Sequence, residues 1–176
     1  MNGVRIEGLK KLVEVINDIP GVILHYYTPQ DRDFLASQGL WNERFQHKNI
    51  SNMKNLLLGL SSCDLLYNPV YGGGIDTAQV KTSFGSKVVE YIAAGPPILV
   101  DSDPNFFTYE FLEKHKVGLR CQHKSVKSIK DYILRLMNDP EFYKRIAESN
   151  KNLWDYYGGE RAKEFFYRAG YPVEKS

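Results

Sequence analysis

Cysteine is scarce in this sequence. Cys63 and Cys121 are the only two among 176 residues, and they show no C-x-x-C spacing. Such a pair does not supply the disulfide framework of a small secreted domain or a cysteine-rich zinc site. We therefore expect two reduced thiols in a cytoplasmic protein.

Long apolar runs and an excess of one charge are also missing. No apolar stretch approaches the roughly 20 residues that span a bilayer, and the amino terminus lacks a signal-peptide pattern. Lysine and arginine number 23 and aspartate and glutamate 21, so the net charge is +2. Without a long basic run, the sequence predicts no nucleic-acid partner and no transmembrane segment.

Familiar catalytic patterns are absent as well. The four histidines show no H-x-x-x-H or H-E-x-x-H spacing, and no G-x-S-x-G motif occurs. They are His25, His47, His115 and His123. We expect each of them to be structural or exposed rather than catalytic, and we expect no zinc site.

What is present is the composition of one folded domain. Hydrophobic residues make up 43% of the chain and charged residues 25%, which excludes a disordered class. The length predicts a single domain over residues 1–176 with a sizeable core, ending in helices over about 141–169.

Apolar periodicity alternates between helix and strand along this domain. Predicted strands begin near Val22, Arg44, Leu65, Pro97 and Gly118. Predicted helices lie between and after them, with Ser51, Ser86 and Ser128 as the residues that begin three of them. The order predicts an α/β fold, a three-layer Rossmann-like domain with a parallel sheet of about five strands.

The most informative stretch is residues 82–100. Gly85 and Ser86 open a helix, Gly95 and two prolines end it, and residues 98–100 read as a buried strand. Ser86, Lys87 and Glu90 share one face of that helix, because they lie three and four residues apart. A helix start with a hydroxyl, a cation and a carboxylate could hold a phosphate and sugar hydroxyls.

Two neighbouring segments each allow two interpretations. The loop over residues 71–83 contains Gly73 and Gly74, whose backbone could approach a phosphate or sugar closely, or which could belong to a flexible surface loop. Asp101 and Asp103 form a D-x-D that could bind Mn²⁺ or Mg²⁺, or could shape a strand-to-helix turn. The sequence favours the turn.

The motif over residues 85–98 resembles the donor-binding segment of retaining GT-B glycosyltransferases of the group 1 type. Their pattern, P-S-K-x-x-E-Y-[LIM]-A-x-G-x-P-[IV], stands here as G-S-K-V-V-E-Y-I-A-A-G-P-P-I. Gly85 replaces the usual proline. Thr82 stands where many members carry a second glutamate near the transferred sugar.

This resemblance implies a nucleotide-sugar site in the C-terminal half of a GT-B fold. Glu90 would bind the ribose, Ser86, Lys87 and the amide of Gly85 would face the diphosphate, and the turn at Asn49 would meet the base. The substrate would be a nucleoside-diphosphate sugar, with no cofactor and no metal. The parent enzyme would transfer a hexose-like sugar with retention, in glycan or polysaccharide biosynthesis.

The resemblance also implies a partner. In the family an N-terminal domain holds the acceptor and usually a catalytic histidine, and the C-terminal domain opens with a strand and has six. Five are predicted here, so we expect an unpaired sheet edge, no catalytic residue in this chain and a partner domain or chain. The parent could associate peripherally with a membrane. Two alternatives remain: a noncatalytic nucleotide-sugar-binding module, or a Rossmann-like domain without ligand.

Overall fold

The computed structural model describes residues 3–48, 52–70, 86–121 and 125–157, and helices and strands alternate along them. The helices are α1 (Gly3–Asn17), α2 (Arg32–Ser37), α3 (Met53–Ser61), α4 (Ser86–Ala94), α5 (Phe107–Lys114), α6 (Val126–Asn138) and α7 (Pro140–Tyr157). The strands are β1 (Leu24–Tyr27), β2 (Phe45–Lys48), β3 (Leu66–Val70), β4 (Ile98–Ser102) and β5 (Leu119–Arg120). The part of the predicted carboxyl-terminal helices beyond residue 157 lies outside the described residues.

The strands are parallel throughout, which confirms the predicted α/β class. They form two sheets rather than one. β1 pairs with β2, and β3, β4 and β5 follow one another in that order. All five predicted strands are therefore observed, while β1 and β3 belong to different sheets and are not hydrogen-bonded to each other.

The centre of the larger sheet is β4. Ile98, Leu99 and Val100 are fully buried, as the apolar run predicts. The strand continues through Asp101 and Ser102, which are also fully buried. Alternate β4 side chains enter two different clusters, Leu99 on one face and Ile98 and Val100 on the other. Helices therefore cover both faces of this sheet, as expected for buried parallel strands.

The direction of α1 relative to the strands follows from contacts at its two halves. Near its end, the Arg44 guanidinium donates to the carbonyls of Ile16 and Ile19 at 2.7 and 2.9 Å, just before β2 begins. In its first half, the carbonyl of Gly8 accepts from the Tyr67 hydroxyl of β3 at 3.2 Å. The helix therefore runs antiparallel to the strands, and its amino end lies toward their carboxyl edge.

Two predicted helix starts are wrong by one and three residues. Asn52, not Ser51, caps α3, since its side chain accepts from the amide of Asn55 at 2.9 Å. Ser125, not Ser128, caps α6, accepting from the amide of Ser128 at 3.2 Å. Several cap-forming residues stand near each start, and tertiary packing of the following apolar face selects among them.

α7 crosses back over α4. Asn150 is fully buried, and its side-chain amide donates to the carbonyl of Pro96. Trp154, near the end of the helix, is 40% exposed. The aromatic side chains that follow it in the sequence, from residue 156 onward, lie outside the described side chains.

Candidate functional site

α4 places two charged side chains on one side of its first turns. Lys87 and Glu90 form an ion pair, with 2.7 Å between Nζ and Oε2. The carboxylate is the more enclosed partner, because the side chain of Glu90 is 16% exposed and that of Lys87 43%. Val88 and Ile92 on the other side are buried in the core. The amphipathic spacing therefore orients the pair away from the core.

The end of α4 is held by the features that the sequence indicated. Gly95 has φ of 99°, a left-handed conformation that favours glycine, and its amide donates to the carbonyl of Tyr91 at 3.2 Å. Beyond it, the Asn150 amide binds the Pro96 carbonyl. This anchors the helix at its carboxyl end and fixes where its amino end lies.

A cavity of about 970 Å³ adjoins the ion pair. Lys87, Glu90 and Tyr91 line it from α4, residues 28–30 line it after β1, and Asn68 and Pro69 line it near the end of β3. These segments meet at the carboxyl ends of two parallel strands, where open α/β sheets bind ligands. The part of the cavity that lies at these strand ends is therefore a candidate ligand site.

The structure brings together two of the predicted site residues, Lys87 and Glu90. Ser86 is the first residue of α4, not its cap, and the described part of the chain gives only its backbone. The remaining predicted site residues lie outside the described residues. These are Asn49, Gly73, Gly74, Thr82 and Gly85.

The predicted base-binding turn is described only at its start. His47 lies on β2, and its Nε2 is 2.9 Å from the carbonyl oxygen of Thr28. This contact ties the imidazole to the loop that follows β1, in agreement with a structural histidine. His25 also borders the cavity, and burial, followed by the charge of Lys48, lowers its pKa.

The D-x-D forms a turn. Asp103 accepts from the backbone amide and the side-chain amide of Asn105, each at 2.9 Å. Asp101 is buried instead, 3.2 Å from the Tyr67 hydroxyl. Within residues 3–48, 52–70, 86–121 and 125–157, no group of three His, Cys, Asp or Glu side chains could hold a metal ion.

Sequence reasoning missed the polar residues that border the cavity from the strands. Thr28 and Gln30 follow β1 directly, and Asn68 lies within β3. The signal was their position at the carboxyl end of a predicted parallel strand. Without knowing which strands are neighbours, that signal does not select them over other strand ends.

Comparison with known proteins identifies the family. The sequence profile of the family described as "Glycosyl transferases group 1" matches residues 34–153. The chain belongs to this family. No curated protein matches the sequence significantly. Among the described helices, none combines the length and apolar character needed to cross a membrane.

Solved structures share the fold. One is the C-terminal domain of a glycosyl transferase group 1 family protein (LpcC) from Francisella tularensis, with 17% identity, a TM-score of 0.59 and coverage of 88% of this chain and 80% of that one. A sucrose-phosphate synthase from Thermosynechococcus elongatus has 17% identity and a TM-score of 0.62, and the match covers 94% of this chain and 42% of that one. A chain of a GtfA/B complex has 14% identity and a TM-score of 0.63, and the match covers 93% of this chain and 32% of that one.

The chain thus spans less than half the length of the last two structures. At these identities the likeness shows the fold, that of a GT-B C-terminal domain. Together with the family match, it places this protein among the glycosyltransferases.

Proposed function

We propose that this chain is the donor-binding domain of a glycosyltransferase and that it holds a nucleoside-diphosphate sugar at the beginning of α4. The observation that carries the proposal is the position of Lys87 and Glu90. Both lie on the first turns of a helix that follows a parallel strand, and both border the cavity at the sheet's carboxyl edge.

The chemistry of this arrangement suits such a donor. A helix amino end attracts phosphate through its free amides and its dipole, and Lys87 adds a full positive charge beside it. Glu90, one turn further along, accepts hydrogen bonds from vicinal hydroxyls, as a ribose offers. The Lys87 ammonium already lies 2.7 Å from this carboxylate and compensates its charge when no ligand is bound.

In this proposal the diphosphate is held without metal. Its charge is offset by Lys87 and by helix amides, including those of Gly85 and Ser86. Contacts other than those of Lys87 and Glu90 would select the nucleotide, the sugar and the acceptor. Glycan or polysaccharide assembly is the proposed setting.

Calorimetric titration with UDP and GDP in the presence of a chelator tests the donor site directly. We expect one of them to bind with an affinity better than millimolar. Absence of binding by both nucleotides up to millimolar concentration would contradict the proposal.

The substitution Glu90→Gln tests whether the Glu90 carboxylate binds the nucleotide. It should weaken binding of that nucleotide by about 1–3 kcal/mol, the range for losing a hydrogen bond to a charged group, while the melting temperature changes little. Glu113→Gln is the matched control, because Glu113 is also paired with a cation, Arg120 at 3.7 Å, but does not border the cavity. An unchanged affinity with a lower melting temperature would assign Glu90 to stability instead.

A further inference from the structure

The cavity beside the Lys87–Glu90 pair has two kinds of wall. Where it continues between β1 and β3, apolar side chains of α1, α3 and α6 line it. At the carboxyl ends of the strands its lining includes polar side chains, and besides Lys87 and Glu90 these are Thr28, Gln30 and Asn68. An apolar wall offers no partner to the polar edge of a ligand, so such an edge is recognised at the strand ends.

Three hydrogen bonds fix the loop that follows β1. The amide of Gln30 donates to the Thr28 hydroxyl at 3.2 Å, and Nε2 of His47 donates to the Thr28 carbonyl at 2.9 Å. Just beyond the loop, the carboxylate of Asp31 caps α2 by accepting from the amide of Phe34 at 2.7 Å. The loop is thus tied to β2 on one side and to the start of α2 on the other. A side chain carried by such a loop is positioned before any ligand arrives.

The side chain of Gln30 takes no part in holding this loop. It is partly buried and lines the cavity, and within residues 3–48, 52–70, 86–121 and 125–157 its amide group has no hydrogen-bond partner. A primary amide presents an acceptor oxygen and a donor nitrogen side by side. The polar edge of a nucleobase also presents donors and acceptors side by side, so the two can form paired hydrogen bonds.

The direction of a nucleotide across the site follows from the proposed function, on which this inference rests. There the diphosphate lies at the start of α4 and Glu90 holds the ribose, so the base extends away from α4 toward one of the neighbouring strands. Toward β5, Asp101 and Ser102 at the end of β4 are fully buried and do not border the cavity. Toward β1, the cavity reaches Gln30.

Asn68 also carries an amide into the lining of this cavity, but it lies nearer to α4. It belongs to β3, and the hydroxyl of Tyr91 on α4 donates to the carbonyl of its chain neighbour Tyr67 at 3.4 Å. Asn68 therefore borders the ribose side of the site. We propose that Gln30 reads the nucleobase of the donor through paired hydrogen bonds, and that His47 is a positioning residue that holds the loop for this contact.

Replacement of Gln30 by glutamate tests the contact, because a carboxylate only accepts hydrogen bonds. Guanine offers it two adjacent donors, N1–H and the N2 amino group, whereas uracil offers one donor between two acceptor carbonyls. Relative to the natural chain, Gln30→Glu should shift the ratio of the UDP and GDP affinities at least about tenfold in favour of GDP. Calorimetric titration with both nucleotides measures this ratio.

Asn68→Asp is the matched control, because it places the same added charge in the lining of the same cavity. This charge repels the diphosphate of either nucleotide, so both affinities should fall together and their ratio should stay within about twofold of that of the natural chain. A shifted ratio in Asn68→Asp with an unchanged ratio in Gln30→Glu would place the base at Asn68 and overturn the inference.

Gln30→Ala repeats the test without adding a charge. It should weaken binding of the preferred nucleotide about tenfold, as the loss of paired hydrogen bonds implies, with an unchanged melting temperature. If the natural chain binds a nucleotide and Gln30→Ala binds it equally well, this inference fails and donor binding stands. If the natural chain binds neither nucleotide, the proposed function fails and this inference fails with it.

A double-mutant cycle tests the role of His47. His47→Ala alone should weaken nucleotide binding at least about threefold, and His47→Gln should recover part of the loss, since its amide can still donate to the Thr28 carbonyl. When Gln30 is already alanine, His47→Ala should have no further effect, because the loop then carries no base contact. Additive losses in the cycle would show that His47 does not act through Gln30 and would overturn its positioning role.

Discussion

At the scale of single residues, the thiol of Cys121 has a strongly shifted pKa. Cys121 follows β5 directly, and its amide donates to the carbonyl of Val100 at 2.8 Å. Burial, followed by the charge of Asp101, raises the pKa of its thiol to about 12. The thiol is therefore protonated and inert at neutral pH, a packing residue rather than a nucleophile.

This shift predicts a pH dependence of stability. The unfolded thiol releases its proton near pH 9 and the folded thiol near 12. Between these values the unfolded state binds fewer protons, so the free energy of unfolding falls as the pH rises, by up to about 1.4 kcal/mol per pH unit. Denaturant titrations between pH 8 and about 11 should show a steeper fall for the natural chain than for Cys121→Ala. Tyr26 is present in both proteins, so its contribution to the pH dependence cancels in the comparison. Parallel curves would contradict the assignment.

Lys87 and Glu90 were predictable from residue spacing, because a three-residue interval on a helix places two side chains on one face. Their enclosure was not. Glu90 is less exposed than Lys87 in the folded chain, where both line one cavity with the loop after β1 and the end of β3. Spacing therefore located the pair, and packing decided which partner is more enclosed.

At the scale of elements, the junction between α1 and β2 depends on one side chain. Arg44 donates to two carbonyls in the last turn of α1 and beyond it, from the segment just before β2. A cation at this position gives these carbonyls a charged donor and complements the negative end of the helix dipole, although the Ile16 carbonyl also accepts from the amide of Ile19 at 3.1 Å. The guanidinium thus joins two elements that are 28 residues apart in sequence.

We expect Arg44→Met to lower the free energy of unfolding by about 1–3 kcal/mol, because partly buried carbonyls lose a charged donor. Arg44→Lys should recover only part of this, since an ammonium does not reproduce the two-pronged geometry. Lys54→Met, which removes a cation from an exposed position on α3, is the control and should change stability by less than about 0.5 kcal/mol. Urea denaturation measures all three. Equal stability of Arg44→Met and the control would show that the junction does not need this residue.

Helix starts show the limit of sequence prediction at this scale. Ser125 and Ser128 are both capping residues three positions apart, and the local sequence suits either. The helix begins at Val126 because Val126 packs against the core and lengthens the buried face. A choice between two adequate caps is thus made by contacts with distant residues, which a local motif does not contain.

At the scale of the whole molecule, we expect the candidate site to form one wall of a cleft. Transfer of a sugar requires donor and acceptor to be held together with water excluded. In the described residues the site consists of Lys87, Glu90 and the strand ends, and the fold corresponds to the C-terminal part of much longer glycosyltransferase structures. The acceptor side of the cleft is expected to come from another domain or chain.

We therefore expect the isolated chain to bind donor without transferring or hydrolysing it. The measurement is a turnover assay with UDP- and GDP-sugars, with and without candidate partner chains, beside a calorimetric titration of the same preparation. Binding without turnover is the expected result. Robust turnover by the isolated monomer would refute this prediction and would direct attention to Asp101 and Asp103, the carboxylates nearest the end of β4.

The sequence alone determined the α/β class, the five strands and the Lys87–Glu90 pair. These depend on apolar periodicity, glycine and proline stops and helical spacing, all of which act within some ten to twenty residues. Only the tertiary structure decided that β1 and β3 stand apart with a helix-covered cavity between them, and that Asp103 serves a turn while Asp101 is buried beside Tyr67. These depend on which strands become neighbours, and that is set by the packing of α1, α3 and α6 over the sheets.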